Sequence, residues 1–414
     1  MKKHWILICF INFFVAALMG LFLRLMYVAP VKWVNFQYLL HGHSHVAMLG
    51  WVYLMLYSLI VTFFVSQEAQ QKPIYNRLFW ITQIAVIGMM VRFPVEGYAL
   101  FSIVFSTLHI FCSYYFCRLI WKDAQPHSLP EKLLLRSALS FMVVSTFGVW
   151  CLGPAVGLLG KTSAFYQIAI QFFLHFQFNG WFLFGVLALF FHQFKAIINE
   201  KQFLLFYRLL VAATILTLAL PVSWYLDSPV FYWINSLGVV LQLAAFIVFV
   251  KMIKTHFKAF FSKLKPIEKT VYAFALFSLG LKIVIQLVIL IPGLDQISHQ
   301  IRNFVIGYIH LTMLGIITGF LLGFALQNQF VNGEKNLVQR GIQLFLLGFV
   351  TTEILLFIQG VYFFLEQGQL PSYHQNLFIA TMGLPAGLLM LIVGQYQTQL
   401  KFKFKHLSYF GKTS

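Results

Sequence analysis

Leu39-Leu40-His41-Gly42-His43-Ser44-His45-Val46-Ala47-Met48-Leu49-Gly50-Trp51 opens a run that carries no Lys, Arg, Asp or Glu from Leu39 to Ser66. About 20 apolar residues suffice to cross the hydrocarbon of a bilayer as a helix, and in lipid only a helix or a closed barrel satisfies every backbone group. The run therefore reads as a membrane span that holds three histidines. Runs of the same kind recur along the chain, at roughly 5–27, 77–93, 98–121, 136–159, 165–193, 203–221, 229–254, 269–292, 302–327, 340–365 and 376–396. With 60% hydrophobic and 10% charged residues in 414, no stretch remains for a water-soluble domain. The expected fold is an all-α integral membrane protein of about twelve transmembrane helices, a single polytopic domain over 1–414.

Charge orients it. With a cytoplasmic N-terminus, 23 of the 29 Lys and Arg lie in or beside cytoplasmic segments, five (Arg24, Lys32, Arg92, Lys161, Arg302) lie towards the outside, and Lys282 lies within a span. This is the positive-inside pattern. It places both termini in the cytoplasm of a cell whose inner, or plasma, membrane holds the protein, and makes the lipid bilayer its first partner. The net charge of +18 is spread over short loops, so it reports topology rather than nucleic-acid binding. The N-terminal Met-Lys-Lys and its apolar run read as a retained helix, since cleavage would invert the pattern. Cys9, Cys112, Cys117 and Cys151 fall within spans and make no paired-cysteine motif.

The histidine run has two echoes. His45 with Gly50 and Trp51, His175 with Gly180 and Trp181, and His310 with Gly315 and Ile316 each set a His, four residues, a Gly and a large apolar residue. They lie 130 and 135 residues apart on the second, sixth and tenth spans, which implies three tandem four-helix units at about 1–130, 131–265 and 266–400, with a short basic tail at 401–414. The three histidines, and His109 on the fourth span, share a layer in the outer half of the membrane.

A histidine in hydrocarbon needs a partner, and a hydrogen bond across a helix interface beside a Gly can supply one. A layer of four favours a cofactor. His41 and His45, four apart, share a face that His43 leaves, so the run can serve two sites. A haem between facing helices takes two imidazoles, for which His45 (or His41) and His310 are the natural pair. The imidazoles of His43, His45, His109, His175 and His310 also suit copper or zinc, and spacing does not choose between these groups. Arg302 and Arg92 stand on the outer side, where they can meet haem propionates or reach the lipid headgroups. Lys282 and Glu353 lie near span centres, as a proton path or a structural ion pair would require.

This arrangement resembles the main subunit of haem-copper oxidases and nitric oxide reductases, and His43-Ser-His45 with Gly50-Trp51 is similar to a run in the C-type oxidases of that superfamily, where it lies on the tenth helix. The resemblance implies a b-type low-spin haem on His45 (or His41) and His310, and an electron-donor protein or quinol as partner. It also implies a copper site that this sequence leaves incomplete: Tyr308 stands where the high-spin haem ligand is expected, 203–221 holds no His, and Asn179 replaces a Tyr four residues after His175. Dioxygen reduction is therefore not expected, and whether the chain is an enzyme stays open. The NnrS-like family of haem- and copper-containing membrane proteins is a second resemblance. A transporter or channel with a His-lined polar path is the alternative, although transporter repeats commonly come as inverted or paired halves.

Overall fold

The structure, a computed structural model, describes residues 3–194 and 199–410; Met1-Lys2 and residues 411–414 of the basic tail lie outside it. Among the described residues, twelve helices are long and apolar enough to cross a membrane: α1 (His4–Leu25), α2 (Phe36–Phe64), α3 (Pro73–Glu96), α4 (Leu100–Asp123), α5 (Leu129–Leu159), α6 (Ala164–Phe194), α7 (Glu200–Ser223), α8 (Pro229–Ser262), α9 (Pro266–Val288), α10 (Arg302–Gln327), α11 (Asn336–Phe364) and α12 (Tyr373–Gln395). These match the expected spans within a few residues, and no β-strand occurs among the described residues.

Local chemistry sets the starts. Asn35, Ser128, Ser163 and Asn199 accept first-turn backbone N–H groups with their side chains. Pro73, Pro229 and Pro266 begin α3, α8 and α9, where no intrahelical donor is lost. The count of spans is even, so α1 begins and α12 finishes at one end of the bundle, here the terminal end; the other is the far end.

The helices are not equivalent. In the most apolar windows of α2, α6 and α10, 83%, 72% and 83% of residues are buried, against 28–44% in the other nine, so these three are the inner helices. Burial along them is uneven. From Gly50, Phe176 and Leu311 towards the terminal end they are packed on nearly all sides, whereas Phe36–Leu49, Ala164–Leu174 and Arg302–His310 are mostly half-buried. The far halves of the inner helices thus border open space.

At the boundary each inner helix does the same thing. A π-helical stretch begins directly after the repeat histidine, over Val46–Tyr53, Phe176–Phe182 and Leu311–Thr318. A π turn inserts one residue into the helical ladder and is often found at functional sites. The glycine of each motif lies in that stretch against the first helix of its own unit. A Cβ there would come within 3.2 Å of Asn12 Cβ at Gly50, where Val86 of α3 is closer still at 2.8 Å, within 2.6 Å of Phe141 Cβ at Gly180 and within 2.8 Å of Ser278 Oγ at Gly315. The packing of α1 on α2 therefore recurs in α5 on α6 and α9 on α10. Asn12 adds a 2.9 Å hydrogen bond to the Gly50 carbonyl, and Trp51 Nε1 donates to Thr318 Oγ1 at 2.9 Å, tying α2 to α10.

Candidate functional site

The repeat histidines lie nine, eleven and eight residues past Phe36, Ala164 and Arg302, where their spans begin. They form one layer in the far half, but each opens onto a different group of helices.

His310 lies between α10 and α11. Its Nδ1 is 3.5 Å from Glu353 Oε1, an oxygen buried without any hydrogen-bond partner, and Gly307 leaves room for the same carboxylate. His43 faces this group from α2. Its Nδ1–H donates to the Ala16 carbonyl of α1 at 2.8 Å, since a carbonyl can only accept. The ring lies over Gly20, where a Cβ would come within 2.9 Å of it. His43 stands within electrostatic reach of His310 and of Arg24 in the last turns of α1. Arg24 in turn reaches Glu353, Tyr373 and Arg302. Arg302 lies over the Phe36 ring at 5.6 Å.

His45 belongs elsewhere. It donates from Nδ1 to the His41 carbonyl at 2.9 Å, and its ring lies 4.2 Å from that of Phe93 on α3. His41 packs edge-on against Tyr98 at 4.6 Å. His109 on α4 is within electrostatic reach of His45, has Ser113 Oγ 3.3 Å from its Nδ1, and keeps a buried Nε2 without a partner. Arg92, at the same end of α3, is held by Glu96 at 2.7 Å and lies over Phe101.

His175 faces α7 and α9. A hydrogen-bonded line runs from Lys282 Nζ to Asn179 Oδ1 (2.5 Å), from Asn179 Nδ2 to His175 Nδ1 (3.4 Å), and from His175 Nε2 to the Thr214 carbonyl (2.7 Å). Both nitrogens of this imidazole are engaged. Lys282 also lies 5.9 Å from the centre of the Tyr308 ring.

His43 and His45, two apart on α2, lie on opposite sides of that helix, so His43 comes within reach of His310 on α10 and His45 of His109 on α4.

The sequence sets His45 (or His41) beside His310; of the α2 histidines, the one with an electrostatic link to His310 is His43. His41, His45 and His109 gather between α2, α3 and α4, and His175 stands apart from both. Among the described residues no three His, Cys, Asp or Glu side chains are grouped so as to hold a metal ion. Lys282 and Glu353 do not pair with each other; one is held by Asn179 and the other faces His310. Arg24 and the Glu353–His310 contact were not foreseen, because a lone Arg near a helix end reads as a headgroup contact and which helices face each other is not written in span order. The four cysteines are free thiols.

No protein-family model matches this chain, and no curated protein matches it. The fold defines a class: this is a multi-pass membrane protein with twelve candidate spans, embedded in a lipid bilayer.

Proposed function

We propose that this protein is a membrane haem protein that carries electrons, with a b-type haem between α2 and α10 held by His43 and His310. What supports the reading is that His43 on α2 and His310 on α10 lie within electrostatic reach of each other, with His43 Nδ1 bonded to the Ala16 carbonyl and His310 Nδ1 3.5 Å from Glu353 Oε1, so that each Nε2 is left for an iron. The side chain of His310 is 26% exposed although it sits on an inner helix. When bound, such a haem would supply one-electron transfer, with His43 and His310 as the residues that would hold it.

The protein's own groups then have definite tasks. Glu353 Oε1, 3.5 Å from His310 Nδ1 and without another hydrogen-bond partner, is the group that would accept its N–H, fixing the ring and making it a stronger donor. The Ala16 carbonyl does the same for His43. Arg24 and Arg302 are cations near the far-end side of the pair, suited to meet propionates by charge-assisted hydrogen bonds. Arg92 is already committed to Glu96. Electrons would come from a donor protein or a quinol.

The test is the absorption spectrum of detergent-purified protein expressed with haem supplied. The expected result is a Soret band with a redox-dependent α band that is lost in His43→Ala and His310→Ala and kept in His45→Ala. A wild-type protein without a Soret band would favour the transporter reading, and loss of the band in His45→Ala rather than His43→Ala would overturn the ligand assignment.

A further inference from the structure

Lys282 is 1% exposed in the middle of α9. An ammonium in low dielectric needs a counter-charge, and none is in contact with it: its hydrogen-bond partner among the described residues is the neutral amide of Asn179.

The direction of that contact can be worked out. The Thr214 carbonyl only accepts, so His175 carries its proton on Nε2 and its Nδ1 is an acceptor. Asn179 must then present its Nδ2–H to His175 and its Oδ1 to Lys282. One N–H of Lys282 is used and the others remain. Among the described residues no acidic side chain makes a hydrogen bond or ion pair with Lys282. Gln286, one turn along the same face of α9, is buried, and its Oε1 has no partner. Asn235 on α8 is buried, and its Oδ1 is likewise without a partner. The hydrogen bond from Tyr232 to the Leu290 carbonyl sets the register of α8 against α9 and brings Asn235 level with Gln286. Oxygen and nitrogen of an amide exchange places by a half turn, so both side chains can offer N–H groups.

We infer that the space between α6, α8, α9 and α10 is a binding site for a small monovalent anion, with the Lys282 ammonium as its charge and the Gln286 and Asn235 amides as additional donors. The site is separate from the His43–His310 pair and stands whether or not haem is bound there.

The probe is bromide, with the much larger gluconate as the reference anion. Thermal unfolding of the purified full-length protein is followed in potassium bromide and potassium gluconate mixtures at constant ionic strength. The expected result is a saturable rise of Tm with bromide in the wild type. Lys282→Met removes the charge and should abolish the rise. Asn179→Asp places a carboxylate beside the ammonium, supplies the counter-charge from within, and should abolish it too. Lys263→Gln, in the loop between α8 and α9, should respond like the wild type. Equal Tm in the two salts for the wild type, a rise that survives Lys282→Met or Asn179→Asp, or its loss in Lys263→Gln would each overturn the site.

Discussion

A carboxylate 3.5 Å from an imidazole nitrogen orients the ring and adds negative charge to whatever the other nitrogen binds. Glu353→Gln keeps the shape and removes the charge. In the haem reading it should weaken haem retention roughly 10–100-fold, the usual cost of losing such a partner, and raise the midpoint potential, because less negative charge near the iron favours the reduced form. Retention assays and a redox titration of the α band check both. At the far end, His299 lies outside the spans, stacked on Trp224 at 4.5 Å with Tyr225 Oη 3.3 Å from its Nε2. Burial holds this imidazole below its ordinary 6.5. The unfolded chain then takes up the proton first, so the contribution of His299 to stability is present above about pH 6.5 and is lost as pH falls through that value towards the lower folded pKa. Wild-type Tm should therefore drop between pH 7 and pH 5 more than that of His299→Phe; equal slopes would show that His299 does not contribute.

The inner helices are built alike: a far half bordering open space, a histidine, a π-helical stretch with a glycine, and a packed terminal half. The glycine is where a neighbouring helix packs closely on the inner one. Gly180→Val would push branched methyls into Phe141, whose Cβ already lies 2.6 Å from where the new Cβ must go, and should destabilise the protein by about 1–3 kcal/mol, as overpacking does. Val at Gly153, which meets nothing within 4 Å, should cost much less; a denaturation series comparing the two decides it. The spans and the histidine layer were legible in the sequence because both rest on hydrophobicity and spacing along one chain. That His41 and His45 share a face which His43 leaves was legible too, from helical periodicity. What span order leaves open is which neighbour each face meets. Hence the natural partner for His310 on paper was His45, while packing presents His43. Lys282 and Glu353 show the same gap: both read as intramembrane charges, yet α9 and α11 turn them towards different helices.

At the scale of the molecule, twelve spans place the chain ends together and put 224–228 and 365–372 at the opposite end. The distribution of Lys and Arg predicts that the terminal end is cytoplasmic. A reporter inserted after Lys263 should be read in the cytoplasm and one at Asp227 or Gln369 outside; the reverse result would turn the whole bundle over. Tolerance to changes of length should follow the same geometry. Four residues separate each repeat histidine from its glycine, and that interval lies in the π-helical stretch. Deleting one residue there would let an ordinary α-helix form with the segments on either side in place, yet the glycine lies within the stretch and would move by one position, so that a bulkier side chain met the neighbouring helix. The helices are therefore held to a fixed count at their centres while loops such as 365–372 are free to lengthen or shorten, and insertions found in natural variants of this chain should fall in those loops and spare the stretch from histidine to glycine in all three helices.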